Sequence, residues 1–225
     1  MGLVDYHNHT ALCGHATGTM EEYIEAAIGK GLVEIGFSDH APLPAGLREG
    51  ITMYEDQTEE YLSAIQHNAQ KYDAHIAVRA GFEVDFPLHD TFNRQYLHDP
   101  RIDYLIGSCH FIDGWAFDHP DYIDGFSTRD IDEIYSRYYA ILQDLISCGH
   151  FDIVGHFDLV KKFGHRARKD FKKEIAALFN EAPRPIAVEI NTAGLRKPVK
   201  EIYPSADILE LLFLLNVPVT LGSDS

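Results

Sequence analysis

Cysteine is scarce: Cys13, Cys109 and Cys148 are the only three in 225 residues. An odd number without a C-x-x-C pair argues against a disulfide framework and for a reducing compartment. Cys13 and Cys109 adjoin candidate metal ligands but read as small apolar filler. Basic residues are also few, 19 Lys and Arg against 35 Asp and Glu, for a formal net charge of −16. A surface of that sign repels nucleic-acid backbones and anionic membranes, so neither is an expected partner. No apolar run is long enough to span a bilayer. The N-terminus lacks the basic, apolar and small-residue order of a signal peptide, and the expected location is the cytoplasm. Composition breaks, repeats and low-complexity segments are absent. One domain over residues 1–225 is therefore expected, long enough to bury a substantial core.

Histidine is plentiful, with 13 residues, and its placement carries the most information. His7 and His9 form an H-x-H, His15 follows, and His40 closes a D-H pair. Glu83, His110, His156 and Asp224 each lie near the end of an apolar run. On a strand, the two imidazoles of an H-x-H share a face, because side chains alternate with period two. His67, His75, His89, His98, His119, His150 and His165 read as ordinary surface or core residues. The remaining six do not, since apolar strands seldom end in imidazoles for packing alone.

Short apolar runs alternate with amphipathic stretches. Strands are expected at Leu3–Tyr6, Val33–Phe37, Ile76–Phe82, Tyr104–Gly107, Ile153–Gly155, Ile186–Ile190 and Val217–Leu221. Helices are expected at Thr19–Gly31, Gln57–Tyr72, Thr91–His98, Arg129–Ser147, Arg168–Glu181 and Ala206–Leu215. Thr19 and Glu22 have the spacing of a capping box, and Gly31 is placed to stop that helix. Phe111–Ser127 is long, aromatic and aperiodic, the mark of a functional loop. Continuous β/α alternation implies an α/β fold with a parallel sheet covered by helices. Candidate ligands at several strand C-termini favour a barrel over an open doubly wound sheet.

Imidazoles mixed with carboxylates suit zinc, iron or manganese rather than calcium or magnesium. Clustered divalent ions lower the pKa of a shared water and clamp phosphoryl oxygens. The implied chemistry is hydrolysis of a phosphate ester. Arg196 is the first candidate for phosphate binding and Lys161 or Lys162 the second, with solvated surface charge as the alternative for each. Trp115 and Phe117 either wall an imidazole pocket or pack as lid and core. Asn191 and Glu189, two apart at a strand end, either contact substrate or support the ligands. Asp39 either orients a neighbouring imidazole or caps local structure.

These motifs resemble the PHP (polymerase and histidinol phosphatase) superfamily over residues 3 to 224. The stretches 110–115 (HFIDGW), 155–161 (GHFDLVK) and 189–197 (EINTAGLRK) are similar to its histidinol-phosphate phosphatase branch. The resemblance implies a distorted (β/α)7 barrel of the PHP type with two to three divalent transition metal ions. It implies that His7, His9, Glu83 and Asp224 hold one ion. Glu83 would bridge to a second, bound by His110 and His156, while His15 and His40 hold a third. The implied reaction is hydrolysis of L-histidinol phosphate in histidine biosynthesis, by attack of a metal-bridging hydroxide. Glu83 and Arg196 would be catalytic, with Arg196, Lys161, Trp115 and Asn191 binding substrate. The rivals are a phosphoesterase for another small phosphate or a nucleotide, and a non-catalytic metal-binding module. The sequence departs from the family at its end. The family reads G-S-D-x-H, whereas this chain stops at Ser225. The expectation is a barrel lacking its C-terminal end, with one protein ligand to the third ion missing.

Overall fold

The computed structural model describes residues 2–44, 46–47, 50–86 and 99–225, so the helix expected over 91–98 lies outside the described residues, as do His89 and His98. The elements run β1 (Leu3–Asp5), α1 (Met20–Gly29), β2 (Leu32–Phe37), α2 (Thr58–Tyr72), β3 (Ala77–Asp85), β4 (Tyr104–Ser108), α3 (Ile131–Ser147), β5 (Ile153–Val154), α4 (Lys172–Asn180), β6 (Ala187–Asn191), α5 (Ala206–Leu214) and β7 (Val219–Gly222). The chain forms two compact units. The first takes the described residues of 1–84, 88–106 and 220–225, and the second takes 85–86 and 107–219.

In the first unit β1 pairs parallel with β2, and β2 with β3. The other edge of β1 takes the end of β7, where Tyr6 N donates to Leu221 O at 3.1 Å. Helix α1 starts where its capping box requires: Thr19 Oγ1 accepts from Glu22 N, and Glu22 Oε2 accepts from Thr19 N. Gly31, at φ 76°, takes the left-handed conformation that ends the helix. Ile24, Ile35, Phe37, Leu62, Ile65 and Phe82 fill the core, each burial contributing about 1.5–3 kcal/mol. Tyr104 lies across the strands and donates to Tyr6 O at 2.6 Å. Gly36 and Gly81 make room for its ring, since a Cβ at either would overlap it.

In the second unit β5 pairs parallel with β6, and Val188 N donates to Pro218 O at 2.9 Å. Gly155 N donates to Gly107 O at 3.0 Å, joining the end of β5 to that of β4. Helix α3 is capped by Asp130, whose Oδ1 accepts from Asp132 N and Glu133 N. It buries Ile134, Tyr138, Ile141, Leu142 and Leu145 at helical spacing. Helix α4 begins four residues later than the expected Arg168. Asp132 Oδ1 takes the Arg168 and Lys169 backbone N–H groups at 2.7 and 3.0 Å, and Asp170 takes that of Lys172 at 2.9 Å. Those side-chain bonds replace the first helical turn. The aperiodic 111–127 segment contains an antiparallel bridge between Ile112 and Trp115 and one 3-10 helix, Pro120–Phe126.

Candidate metal centre

In the first unit, His7 and His9 stand just beyond β1. Three bonds fix that segment. Asp5 Oδ1 accepts from His7 N at 3.2 Å and Ser223 N at 3.0 Å, and Asn8 Nδ2 donates to Gly36 O at 3.0 Å. Asp224 N donates to His7 O at 2.8 Å, which brings Asp224 beside the H-x-H. Pairing of β2 with β3 continues past the end of β2. Glu83 N donates to Asp39 O at 3.0 Å and Ala41 N to Glu83 O at 2.8 Å, so His40 and Glu83 lie side by side. Buried Tyr61, on α2, ties this corner together: its hydroxyl donates to Gly81 O at 2.9 Å and accepts from Asp39 N at 3.1 Å.

The result is a buried imidazole cluster around one carboxylate. Glu83 Oε2 lies 3.1 Å from His40 Nδ1, 3.3 Å from His7 Nε2 and 3.5 Å from His9 Nε2. Asp224 Oδ1 lies 3.5 Å from His9 Nε2 and 4.0 Å from His7 Nε2. The ring of His15 is 4.9 Å from that of His9 and 5.3 Å from that of His40, centroid to centroid. His15 differs from the strand-exit expectation. It is exposed, and a 3-10 turn, Ala11–Cys13, delivers it, with Gly14 at φ 81° ending the turn.

Electrostatics match the clustering. Burial pushes the His9 imidazole down, but the Asp224 carboxylate and the Cys13 thiol outweigh it and raise its pKa to about 10. Burial pushes Asp224 up, but His7 and His9 hold its carboxyl well below the usual carboxylate range. Asp39 accepts from both the backbone and the hydroxyl of Thr10, and its Oδ1 lies 3.9 Å from His9 Nδ1. Cys13, expected to be filler, has its Sγ within 4.8 Å of ligand atoms of His9 and Asp39. Burial raises its thiol, but His15 and His9 outweigh that and lower it to about 7.

In the second unit, His110 Nε2 and His156 Nε2 face each other at 3.2 Å. Asp85, on β3 and buried, holds His110 Nδ1 at 2.6 Å. A carboxylate there fixes the imidazole's tautomer and leaves the other nitrogen to a metal. Sequence reading missed Asp85, although its position two residues after Glu83 on one strand was a usable signal. Glu189 and Asn191 brace His156. Glu189 Oε2 accepts from His156 N at 2.7 Å and from Asn191 Nδ2 at 3.0 Å. Asn191 Oδ1 accepts from Ala193 N at 2.8 Å, so this buried amide makes contacts within the protein.

The donor sets fit divalent transition metals. Two donors on one tetrahedral ion with bonds of about 2.0–2.1 Å stand roughly 3.3 Å apart. The three Glu83 distances and the His110–His156 distance all fall near that spacing. Ligand atoms of His9, His15 and His40, and of His7, His9 and Asp224, lie within 4.8 Å of one another.

The remaining candidates are placed differently. Arg196 is exposed at the end of a single 3-10 turn, Ala193–Arg196, after β6. Lys161 is buried, and its ammonium has three partners: Ile202 O, Asp158 Oδ2 and Glu201 Oε2, each at 2.8 Å. Those three oxygens take its three protons, which leaves none for a substrate phosphate. Trp115 is half-buried. Its indole N–H donates to Tyr122 O at 3.0 Å, and its ring packs on Phe126 and beneath Arg129.

Known proteins resemble this chain along most of its length. A model of the PHP domain matches residues 5–193. A Deinococcus radiodurans protein named "Probable histidinol-phosphatase" is 40% identical over 225 residues, covering all of this chain and 86% of its own. The crystal structure of the Listeria monocytogenes protein hisK covers 99% of this chain and 94% of its own at a TM-score of 0.86 and 25% identity. That of a Lactococcus lactis histidinol phosphate phosphatase, complexed with Zn, L-histidinol and phosphate, has a TM-score of 0.77 at 21% identity, covering 100% of this chain and 86% of its own. These likenesses show the expected fold class, the α/β barrel fold of the PHP type. On the match over residues 5–193, the chain belongs to the PHP domain family.

Proposed function

We infer that this chain is a metal-dependent phosphomonoesterase that hydrolyses L-histidinol phosphate to L-histidinol and phosphate. One PHP domain over 1–225 would carry the activity. The observation that carries the hydrolytic reading is the convergence of three imidazole nitrogens on Glu83 Oε2, at 3.1–3.5 Å. The relative at 40% identity, whose name is that of a histidinol-phosphatase, supports the substrate. Two to three divalent ions, of zinc, iron or manganese, are the cofactors of this reading. His7, His9, His15, His40, Glu83 and Asp224 in the first unit, and His110 and His156 in the second, are their ligands.

Bound there, such ions supply an activated water and neutralise charge on phosphoryl oxygens. The chain's own groups do the rest. Asp85 keeps His110 in the tautomer whose Nε2 carries the lone pair that a metal would take. Glu189 holds the backbone of His156, and Asp39 faces the outer nitrogen of His9. Arg196 offers a guanidinium for bidentate phosphate contact. Lys161 is left out of substrate binding because its protons are committed. Trp115 and Asn191 act by supporting the loop and the strand end that carry these groups. No helix among the described residues is long and apolar enough to cross a membrane. A cytoplasmic enzyme of histidine biosynthesis, free of nucleic acid, completes the reading.

The test is metal content measured together with phosphate release from histidinol phosphate, nucleotides and an aryl phosphate. Preferred turnover of histidinol phosphate by metal-loaded protein is expected. Preference for a nucleotide would replace the substrate, and metal-replete protein without turnover would replace the enzyme with a binding module.

A further inference from the structure

A charged pair coupled electrostatically to His110 and His156 has no part in the proposed function. Asp118 follows Phe117 in the aromatic loop between β4 and α3, and Lys162 follows the 3-10 turn Leu159–Lys161 after His156. Lys162 Nζ lies 3.0 Å from Asp118 Oδ2, with the two side chains only 16% and 20% exposed. Burial pushes the Asp118 carboxyl up, but His110, Lys162 and His156 outweigh it and hold it below the usual range. The carboxylate therefore interacts electrostatically with both imidazoles of the second unit.

A carboxylate is an unfavourable neighbour for a phosphate dianion. Lys162 by itself would serve a phosphate better than Lys162 neutralised by Asp118. The pair is intelligible if the bound molecule carries a positive group as well as the phosphate. Histidinol phosphate does, as a primary ammonium. The loop that carries Asp118 is braced by aromatic packing: Trp115 meets Phe117 at 6.2 Å and Phe126 at 4.8 Å between centroids. Phe117 is buried against Tyr138 of α3, 5.6 Å away. The carboxylate is thus held on a rigid base.

Resting on the histidinol-phosphatase reading, we propose that Asp118 is a specificity residue that accepts the primary ammonium of the substrate. Lys162 compensates the charge of the carboxylate until the ammonium arrives.

The experiment compares wild-type protein with Asp118→Asn, both metal-loaded, on histidinol phosphate and on an aryl phosphate that lacks an amine. The expected result is at least a tenfold fall in the ratio of kcat/KM for histidinol phosphate over that for the aryl phosphate, carried mainly by KM. Inhibition by L-histidinol should weaken by a similar factor, while inhibition by inorganic phosphate holds. An equal fall on both substrates would show that Asp118 acts only by positioning Lys162, and would overturn the proposal. An unchanged ratio, or loss of metal in the variant, would also overturn it. Should the variant not fold, Lys162→Met serves instead. Freed of its partner, Asp118 should keep or strengthen histidinol inhibition, and a loss would count against the proposal. Wild-type protein inactive on histidinol phosphate but active on other phosphates would instead sink the substrate reading. An aminoalkyl phosphate against the aryl phosphate would then test Asp118 by itself.

Discussion

Lys161→Met removes an ammonium from a site where little else can take its place. The methionine keeps most of the apolar stem, so the change is chiefly one of charge. Lys161 is 1% exposed, and its side chain meets Asp158, 3% exposed, at 2.8 Å. Without the ammonium, Asp158 Oδ2 retains the Ser205 backbone N–H at 2.9 Å. Burial already raises the Asp158 carboxyl, and Lys161 is the first group that opposes it. Breaking a buried pair by removing one partner costs about 3–5 kcal/mol, because the other charge is left uncompensated. For a chain of this size each kcal/mol is worth roughly 2–4 °C of Tm, so the expected fall is roughly 6–20 °C. Thermal melts and denaturant titrations of metal-loaded protein measure it. The double variant with Asp158→Asn should recover part of the loss, because the orphaned charge goes with it. A fall below about 1 kcal/mol would refute the reasoning, since an exposed pair costs that little. Folded Lys161→Met with unchanged stability and a lost phosphate inhibition would return Lys161 to the substrate site.

Glu83→Gln keeps side-chain volume and the β2–β3 backbone pairing but removes the charge that faces three imidazoles. Turnover should fall by at least a hundredfold, about 2.7 kcal/mol, with metal content reduced. Near-wild-type turnover at full metal content would contradict it. Arg196→Ala should weaken inhibition by inorganic phosphate by the roughly 1.5–3 kcal/mol of a charge-assisted contact, with metal content unchanged. Unaltered inhibition and turnover would make Arg196 a surface charge. Glu201 tests the acid limb of stability. Burial raises its carboxyl, but Lys161 and Arg166 outweigh it and lower it from 4.5. A lowered carboxylate contributes stability above its unfolded pKa and loses it as pH falls through the folded one. Glu201→Gln should therefore flatten the decline in Tm as pH falls from about 5 towards 3. A decline as steep as that of the wild-type protein would contradict this.

Much of this molecule is legible in the sequence because its signals are local. Alternating apolar runs mark the strands, and Thr19 with Glu22 marks the start of α1, since a capping box closes within four residues. A polar side chain that interrupts an apolar run is also a local event. That is why His7, His9, His40, Glu83 and Asp224 could be singled out before their convergence was known. Other features belong to the tertiary structure. The start of α4 is moved by Asp132, 36 residues before Arg168. Lys161 reads as a phosphate-binding candidate until the chain returns 40 residues later with Glu201 and Ile202 to take its protons. The same holds for Asp118, which only the fold pairs with Lys162 and couples electrostatically to His110 and His156. Groups with metal chemistry at element ends can be read from the sequence alone, because periodicity and capping act over a few residues. Which of the charges are buried, and against what, emerges only with the fold. Desolvation and pairing depend on neighbours in space, and those neighbours lie tens of residues apart along the chain.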